Sequence, residues 1–208
     1  MIKIIDYGAG NCGSVQNMLR HLGADSEIIS APHELTGASA IILPGVGRFD
    51  FASKRIEPFR SVLHHHVITQ KTPFLGICLG MQLLFERSEE GLGQGLAWIP
   101  GEIKKFDFSS SSLDQPLPIP HMGWNTITPA KASPLLDSDE MLTSRYYFVH
   151  SYHAVCADAN DIAAKSIYGY EFTCAVQREN IFGVQFHPEK SHKFGKQLFS
   201  NFLRYVAC

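Results

Sequence analysis

The sequence is poor in the features that define membrane, secreted and nucleic-acid-binding proteins. In its 208 residues no apolar run approaches the roughly 20 residues that a membrane-spanning helix needs. The first residues, Met1 to Asp6, lack the long apolar segment of a secretion signal. The formal charge is only −2 and no block of like charge stands out. We therefore expect a protein that binds neither a membrane nor nucleic acid.

Cysteine patterns that would indicate disulfides or a zinc site are also missing. The five cysteines are an odd number, and none of them forms a C-x-x-C pair or has zinc-ligand spacing. This pattern predicts reduced thiols, a cytoplasmic location and no metal site. No internal repeat or interdomain linker is visible, and 45% apolar residues suffice for a large core. We predict one domain over residues 1–208.

The apolar pattern alternates between strands and helices. Short buried runs at 2–5, 27–29 and 40–43 are separated by helix-length segments, and a longer helical pattern covers 49–67. Such alternation predicts an α/β fold, in which a mainly parallel sheet is covered by helices on both faces. Groups that bind or react are then expected at the carboxyl ends of the strands.

Cys78 lies in the most informative stretch, between Gly76 and Gly80. The apolar run before Cys78 predicts a strand, and apolar residues at helical spacing up to Phe85 predict a helix directly after it. The pattern G-x-C-x-G is the thiol form of a nucleophile elbow, where glycines allow a tight turn that exposes the reactive side chain. A position at a helix start also favours a thiolate. The alternative is a buried core cysteine, as most free cysteines are.

A second reactive group is predicted at His187-Pro188-Glu189. A residue before proline is extended, so side chains two apart point the same way and Glu189 lies beside His187. The Glu189 carboxylate can then hold one imidazole nitrogen and leave the other to serve Cys78 as base and acid. The alternative is a histidine at a strand end followed by a solvated glutamate.

Backbone donors for an oxyanion are predicted at two turns. Gly47, in the Pro44-Gly45-Val46-Gly47 turn after the third strand, and Leu79, directly after Cys78, can each present an N–H group. The alternative for the first turn is a plain tight turn. Glycines at 8, 10 and 13 also match a dinucleotide fingerprint, but Ser30 and Ala31 stand where its acidic residue is expected, so the match is weak.

Taken together, six motifs resemble those of class I glutamine amidotransferases, and the match runs from residue 1 to the C-terminal helix. The motifs are Asp6-Tyr7-Gly8-x-Gly10-Asn11, Leu43 to Gly47, Gly76 to Gln82, Pro120 to Asn125, Phe148 to Tyr152 and Gly183 to Ser191. The elbow and the His-Pro-Glu motif are shared by the whole class. Three others are similar to the branch whose members supply ammonia to a cyclase in histidine biosynthesis.

The resemblance implies a flavodoxin-like fold with a mixed, mainly parallel sheet, and glutamine hydrolysis through a thioester. It implies no cofactor, and a heterodimer with a barrel-shaped cyclase that receives the ammonia. Carried over by motif, the catalytic residues are Cys78, His187 and Glu189, with oxyanion donors at Gly47 and Leu79. The substrate residues are Gln82, His150, Ser151 and Tyr152, and the partner-facing residues are Asn11, Trp124, Tyr147 and Lys190.

Other functions remain open at this level. Arg48 replaces the small residue that is usual after P-G-V-G, and Ser191 to Gly195 is more similar to paralogues that serve surface-sugar amidation. Outside the ammonia-transferring proteins, a γ-glutamyl hydrolase or a cysteine peptidase would use the same triad. A regulatory module without activity is a further alternative, although all three triad residue types are present.

Overall fold

The computed structural model describes residues 1–109, 117–136 and 144–207. The α-helices are α1 (Cys12–His21), α2 (Phe49–Ile56), α3 (Arg60–His64), α4 (Leu79–Gln82) and α5 (His192–Ala207). The strands are β1 (Ile2–Ile5), β2 (Ser26–Ile29), β3 (Ala40–Gly45), β4 (Phe74–Cys78), β5 (Arg87–Ser88), β6 (Gly101–Lys105), β7 (His121–Thr126), β8 (Thr128–Pro129), β9 (Arg145–His150), β10 (Tyr152–Cys156), β11 (Ile162–Tyr168), β12 (Tyr170–Arg178) and β13 (Ile181–Val184).

The centre of the molecule is a mixed sheet with a parallel half. Five strands pair in parallel in the order β2-β1-β3-β4-β13, which matches the flavodoxin-like order 2-1-3-4-5. The sheet then continues antiparallel through β12, β10 and β6, while β7 and β9 form a separate two-stranded ribbon. The prediction of a flavodoxin-like α/β fold with a mixed, mainly parallel sheet is confirmed.

Helices cover both faces of this sheet. Val15 and Leu19 of α1 and Leu198 of α5 belong to one apolar cluster, whereas Phe49 and Ile56 of α2 belong to the other. All four residues of β1 are buried, as expected for a strand covered on both sides. Among the residues that the structure describes, no helix is long and apolar enough to span a membrane.

Two predicted helices differ from the structure in their extent. The helical pattern at 49–67 is divided by a 3₁₀ turn at Glu57–Phe59, which contains Pro58, and it continues through a π turn to Thr69. Proline lacks the N–H that a continuous helix needs, which accounts for the break. The helix after Cys78 ends at Gln82 instead of continuing to Phe85. Its next carbonyls are taken by another segment, because Leu96 N–H donates to the carbonyl oxygen of Leu83 at 2.6 Å.

Gly80 sets how closely the elbow packs on the sheet. A β-carbon at Gly80 would lie 1.8 Å from the Leu43 carbonyl oxygen, and one at Gly76 would lie 2.6 Å from the Gly80 carbonyl oxygen. Both contacts are with backbone, which has no freedom to move aside. The turn between β4 and α4 therefore requires glycine at both positions.

We expect Gly80→Ala to lower the free energy of unfolding by more than about 3 kcal/mol, because the added methyl group meets the β3 backbone. The matched control is Gly13→Ala in α1, where a β-carbon has no neighbour within 4 Å among the described residues. That change should be neutral or stabilise the protein by up to about 1 kcal/mol through helix propensity. Urea denaturation of both variants tests this, and equal stabilities would contradict the packing argument.

Candidate active site

A cavity of about 270 Å³ lies at the carboxyl edge of the parallel strands and brings most of the predicted site residues together. Its lining residues are Val46, Gly47, Cys78, Leu79, Gln82, Glu90, Pro120, Val149, His150, Ser151, Tyr152 and His187. The two predicted oxyanion residues and all four predicted substrate residues are among them. Strands β3, β4 and β13 run side by side, which explains why turns so far apart in sequence meet here.

Cys78 has the backbone conformation of a nucleophile elbow. Its φ is 54° and its ψ is −108°, a combination that residues with a β-carbon rarely adopt. The residue is the last of β4 and directly precedes α4, so its side chain stands at the junction of sheet and helix. It is 7% exposed. The Gln185 side-chain amide donates to the Cys78 Sγ atom at 3.6 Å.

His187 and Glu189 form a buried pair beside Cys78. The His187 Nδ1 atom lies 2.8 Å from the Glu189 Oε1 atom, so the carboxylate accepts the Nδ1 proton and the Nε2 atom is left for Cys78. Nε2 is buried and has no hydrogen bond within the described residues. Burial lowers the pKa of His187, but the interactions with Cys78 and Glu189 outweigh burial and raise that pKa to about 10. The raised pKa favours the protonated imidazole, which is the form that can give a proton to a leaving group.

The backbone of His187 is held by strand β9. The His187 N–H donates to the Tyr147 carbonyl oxygen at 2.9 Å, and the Ser191 hydroxyl donates to the His187 carbonyl oxygen at 2.6 Å. The Ser191 oxygen also accepts from the Tyr147 N–H at 3.0 Å. These three hydrogen bonds close a ring, so a displacement of β9 at Tyr147 would be passed directly to His187.

The turn after β3 carries one of the two candidate oxyanion donors. Gly45 lies opposite Cys78 in the β3–β4 register, and Gly47 has a φ of 107°, which favours glycine. The Val46 N–H, however, donates to the Ala9 carbonyl oxygen at 3.1 Å. That donor therefore points to the loop after β1 and not to the thiol.

The four predicted substrate residues lie on two neighbouring segments. The Gln82 side-chain amide donates to the Gln185 Oε1 atom at 3.1 Å and to the Tyr152 carbonyl oxygen at 3.3 Å. His150 Nδ1 lies 2.8 Å from the same Tyr152 oxygen, and a carbonyl oxygen only accepts, so Nδ1 carries the proton. Gln82 and His150 thus hold the backbone of 150–152 in place along the cavity wall.

His150 belongs to a chain of hydrogen bonds that leads to β7. Its Nε2 atom lies 3.0 Å from His121 Nδ1, and the His121 Nε2 atom lies 3.3 Å from the Asn125 amide nitrogen. With both ring nitrogens engaged, His150 has no free nitrogen for a ligand. Burial lowers the pKa of His121 to about 4 and that of His150 to about 3, so both rings are neutral near pH 7.

Three of the four predicted partner residues, Trp124, Tyr147 and Lys190, lie on one surface together with His192. We call the surface made of these four residues the ribbon face. The Trp124 and His192 rings are stacked with centroids 5.5 Å apart, and Lys190 Nζ lies 5.9 Å from the Tyr147 ring centroid. Trp124 is 45% exposed. The fourth predicted residue, Asn11, caps α1, because its side chain accepts from the Ser14 N–H at 3.3 Å.

Three polar residues at the site were not found by sequence reasoning. Glu90 lines the cavity, and its Oε2 atom accepts from the Phe49 N–H at 2.8 Å. Gln185 is fully buried and contacts Cys78. His121 holds His150. A signal existed for Gln185, since a strand that continued to His187 would place the two side chains on the same side. The structure instead bends at Gln185 and Phe186, after β13 ends at Val184. For Glu90 and His121 we find no comparable signal.

The comparisons with known proteins agree with this geometry. The family profile of class-I glutamine amidotransferases matches residues 3–206. A solved structure described as a glutamine amidotransferase superposes with a TM-score of 0.76 over 100% of this chain and 99% of the other, at 16% identity, which supports the fold alone. The chain belongs to the class-I glutamine amidotransferase family.

Curated proteins of higher sequence identity show to which branch of this family the chain belongs. The chain is 48% identical to imidazole glycerol phosphate synthase subunit HisH of Leptospira borgpetersenii, over 97% of this chain and 98% of the other. It is 46% identical to subunit HisH 2 of Methanococcus maripaludis, over 98% and 99% of the two chains. Within its class, the chain therefore falls in the HisH family.

We expect the two neutral histidines to make the fold sensitive to acid. An unfolded chain protonates both near pH 6.5, whereas the folded chain does so only near pH 4 and 3. The unfolded state thus binds more protons in between, and stability falls as the pH falls below 6.5. At pH 5 the loss is about 2 kcal/mol for each histidine. His187 has a raised pKa, so its contribution stays complete below pH 6.5.

Urea denaturation between pH 7 and pH 5 measures this effect. His121→Gln should remove part of the loss, because His150 and the buried His153, whose pKa burial also lowers, still contribute. His64→Gln, at an exposed position, should keep the wild-type pH dependence. A stability that does not change over this range would show that the two rings are not held neutral.

Proposed function

We propose that this chain is the glutaminase subunit of an imidazole glycerol phosphate synthase, which hydrolyses glutamine to glutamate and ammonia through a thioester on Cys78. The observation that carries the proposal is the buried arrangement of the elbow cysteine beside a histidine whose second nitrogen is 2.8 Å from a carboxylate. This is the arrangement that nucleophilic catalysis by a thiol requires. The names of the HisH relatives support the assignment to histidine biosynthesis.

The proposed reaction has two halves. The Cys78 thiolate attacks the side-chain amide carbon of glutamine, and protonated His187 gives its Nε2 proton to the leaving nitrogen, which departs as ammonia. Water then attacks the thioester, His187 takes a proton from that water, and glutamate leaves as the Cys78 thiolate is restored. Glu189 accepts the Nδ1 proton of His187 and stabilises the imidazolium. The N–H groups of Gly47 and Leu79 would stabilise the oxyanion in each half.

The cavity offers groups that suit the two ends of glutamine. The carboxylate of Glu90 at the cavity wall fits the α-ammonium group. The backbone of Ser151 and Tyr152, held by Gln82 and His150, fits the α-carboxylate end. A cavity of about 270 Å³ is slightly smaller than the pockets that hold drug-sized ligands, which suits a ligand as small as an amino acid. We propose these roles together with those of the triad.

A partner subunit is part of the proposal. Free ammonia becomes ammonium at neutral pH and is then no nucleophile, so hydrolysis away from an acceptor would be wasted. We propose a heterodimer in the cytoplasm, in which a barrel-shaped cyclase covers the ribbon face and Asn11. The exposed Trp124 ring and its neighbour Tyr147 give this face the aromatic character of a binding surface. The free thiols of Cys12, Cys78, Cys156 and Cys174 fit a reducing compartment.

The other functions that use the same triad are less well supported. The curated names of the relatives do not favour a γ-glutamyl hydrolase, a peptidase, a regulatory module or a surface-sugar amidation subunit. Release of free ammonia from glutamine separates a glutaminase from the hydrolases and from a regulatory module, and the acceptor that takes up the ammonia separates the two kinds of amidotransferase subunit. Cleavage of a peptide or of a γ-glutamyl tail would identify the hydrolases instead.

We expect Cys78→Ser to lower ammonia release from glutamine at least about 1,000-fold in the presence of the synthase partner, because a serine hydroxyl is a far weaker nucleophile here. The fold should remain intact, since the change is nearly isosteric. Cys156→Ser is the control, and it should keep wild-type activity because that free thiol lies outside the cavity. A Cys78→Ser variant with wild-type turnover would refute the assignment.

We also expect the isolated chain to be a poor glutaminase that its partner activates. The ring of hydrogen bonds among Tyr147, His187 and Ser191 joins the ribbon face to the triad, so docking can reposition His187. Lys190→Ala should weaken this activation. Lys54→Ala is the matched control, because Lys54 is on α2, which packs on the opposite face of the sheet. Ammonia release is measured with and without partner and acceptor substrate. Full activity of the wild-type chain alone would contradict the idea.

A further inference from the structure

The side chain of Gln185 contacts the sulfur atom that reacts, yet the proposed reaction gives this residue no role. Gln185 is fully buried, and its amide nitrogen donates to the Cys78 Sγ atom at 3.6 Å. Gln185 does not line the cavity, so its amide meets the sulfur from outside the space for glutamine. The amide can therefore stay beside the nucleophile whether or not glutamine is bound.

The hydrogen bonds around Gln185 fix which end of its amide faces the sulfur. The Gln82 amide nitrogen lies 3.3 Å from the Tyr152 carbonyl oxygen, and a carbonyl oxygen only accepts, so this end of the Gln82 amide is the donor. The same nitrogen lies 3.1 Å from the Gln185 Oε1 atom, which is therefore the acceptor. The NH₂ group of Gln185 is left to face Cys78, so the sulfur receives a donor.

A hydrogen bond from a buried amide favours the ionised form of the sulfur. Hydrogen bonds to a charged acceptor are about twice as strong as those between neutral groups, and a neutral thiol is only a weak acceptor. Burial of Cys78 disfavours the charged thiolate, and a donor at this position offsets part of that cost. The Gln82 amide strengthens the effect, because its bond to Gln185 Oε1 polarises the Gln185 N–H groups.

We propose that Gln185 is a catalytic residue whose amide N–H stabilises the Cys78 thiolate, both when the thiolate attacks glutamine and when it leaves the thioester. The role differs from that of His187, because an amide keeps its protons while the imidazole gives one to the leaving nitrogen. The sulfur thus has one neighbour that transfers protons and another that only stabilises negative charge. The inference rests on the proposed glutaminase function and adds a fourth side chain to the triad.

Gln185→Met and Gln185→Glu test the inference through the pH dependence of Cys78 alkylation by iodoacetamide, because the thiolate is the form that reacts. Both changes remove the N–H donor and keep an unbranched side chain. In Gln185→Met we expect the midpoint of the profile to rise by about one pH unit, which is about a 10-fold change in the thiol–thiolate equilibrium. Gln185→Glu should raise it further, because a carboxylate would face the thiolate. Mass spectrometry of the Cys78 peptide separates this thiol from the other cysteines.

Glutamine hydrolysis in the complex with the synthase partner supplies a second readout. The acid limb of kcat/KM, which reports the free enzyme, should move to higher pH together with the alkylation profile. In Gln185→Met the loss should be about 10-fold on the acid limb and should close at a pH where both proteins are ionised. A change that only misplaces the substrate would instead lower kcat/KM by the same factor at every pH.

Two comparisons separate this role from a structural one. Gln185→Glu keeps an Oε1 acceptor for Gln82, whereas Gln185→Met removes it. If Gln185 acted only by holding Gln82, Gln185→Glu would be the milder change and neither variant would shift the alkylation midpoint. Gln177→Met is the matched control, because it removes an amide from the neighbouring strand β12, away from the cavity. It should leave both pH profiles unchanged.

An unshifted alkylation midpoint in both Gln185 variants would overturn the inference, whatever their activity. A shifted midpoint with a wild-type pH dependence of kcat/KM would overturn the catalytic role. If the wild-type complex released no ammonia from glutamine, the proposed function would fail, and the alkylation profile would still decide whether Gln185 stabilises the thiolate.

Discussion

The backbone conformation of Cys78 is the constraint on which the carboxyl edge of the sheet depends. A φ of 54° in a residue with a β-carbon costs about 1–3 kcal/mol, and it persists only where the surroundings leave no alternative. The close approach of Gly80 to the Leu43 carbonyl oxygen and of Gly76 to the Gly80 backbone supplies that restraint. The Cys78 thiol is thereby held in a fixed position at the end of β4. The turn at Gly45 and the His187 side chain after β13 lie around this position.

The position of His187 is restrained by a different set of contacts. Glu189 orients the ring, whereas β9 and Ser191 hold the backbone at both its N–H and its C=O. Strand β9 lies in the two-stranded ribbon, outside the main sheet. The nucleophile and its base therefore follow neighbouring strands of the main sheet, β4 and β13, and the ribbon adds a second restraint on the base alone. A ligand or subunit that contacts the ribbon can therefore act on the base without contacting the nucleophile.

The sequence was sufficient where local chemistry decides the structure. The elbow glycines, His187 before Pro188 and the alternation of strands and helices predicted the sheet and the groups around the cavity. It was insufficient where distant segments meet. The helix after Cys78 is short because residues near Leu96 bond to its end, and His121 reaches His150 only through ribbon pairing. The spacing of residues along the sequence does not indicate contacts between distant segments. For the same reason the sequence analysis did not predict Glu90.

The placement of the two tryptophans gives the molecule an optical consequence. Trp98 is 8% exposed and packs edge-on against Phe74, whereas Trp124 is 45% exposed and stacks on His192. The Trp98 indole therefore fluoresces in an apolar interior. The Trp124 indole is exposed to solvent and lies beside the His192 imidazole, which can quench its fluorescence. Light emitted by the second indole would report on whatever covers the ribbon face. The chain thus carries a built-in fluorescent probe of its own assembly, with no label to attach.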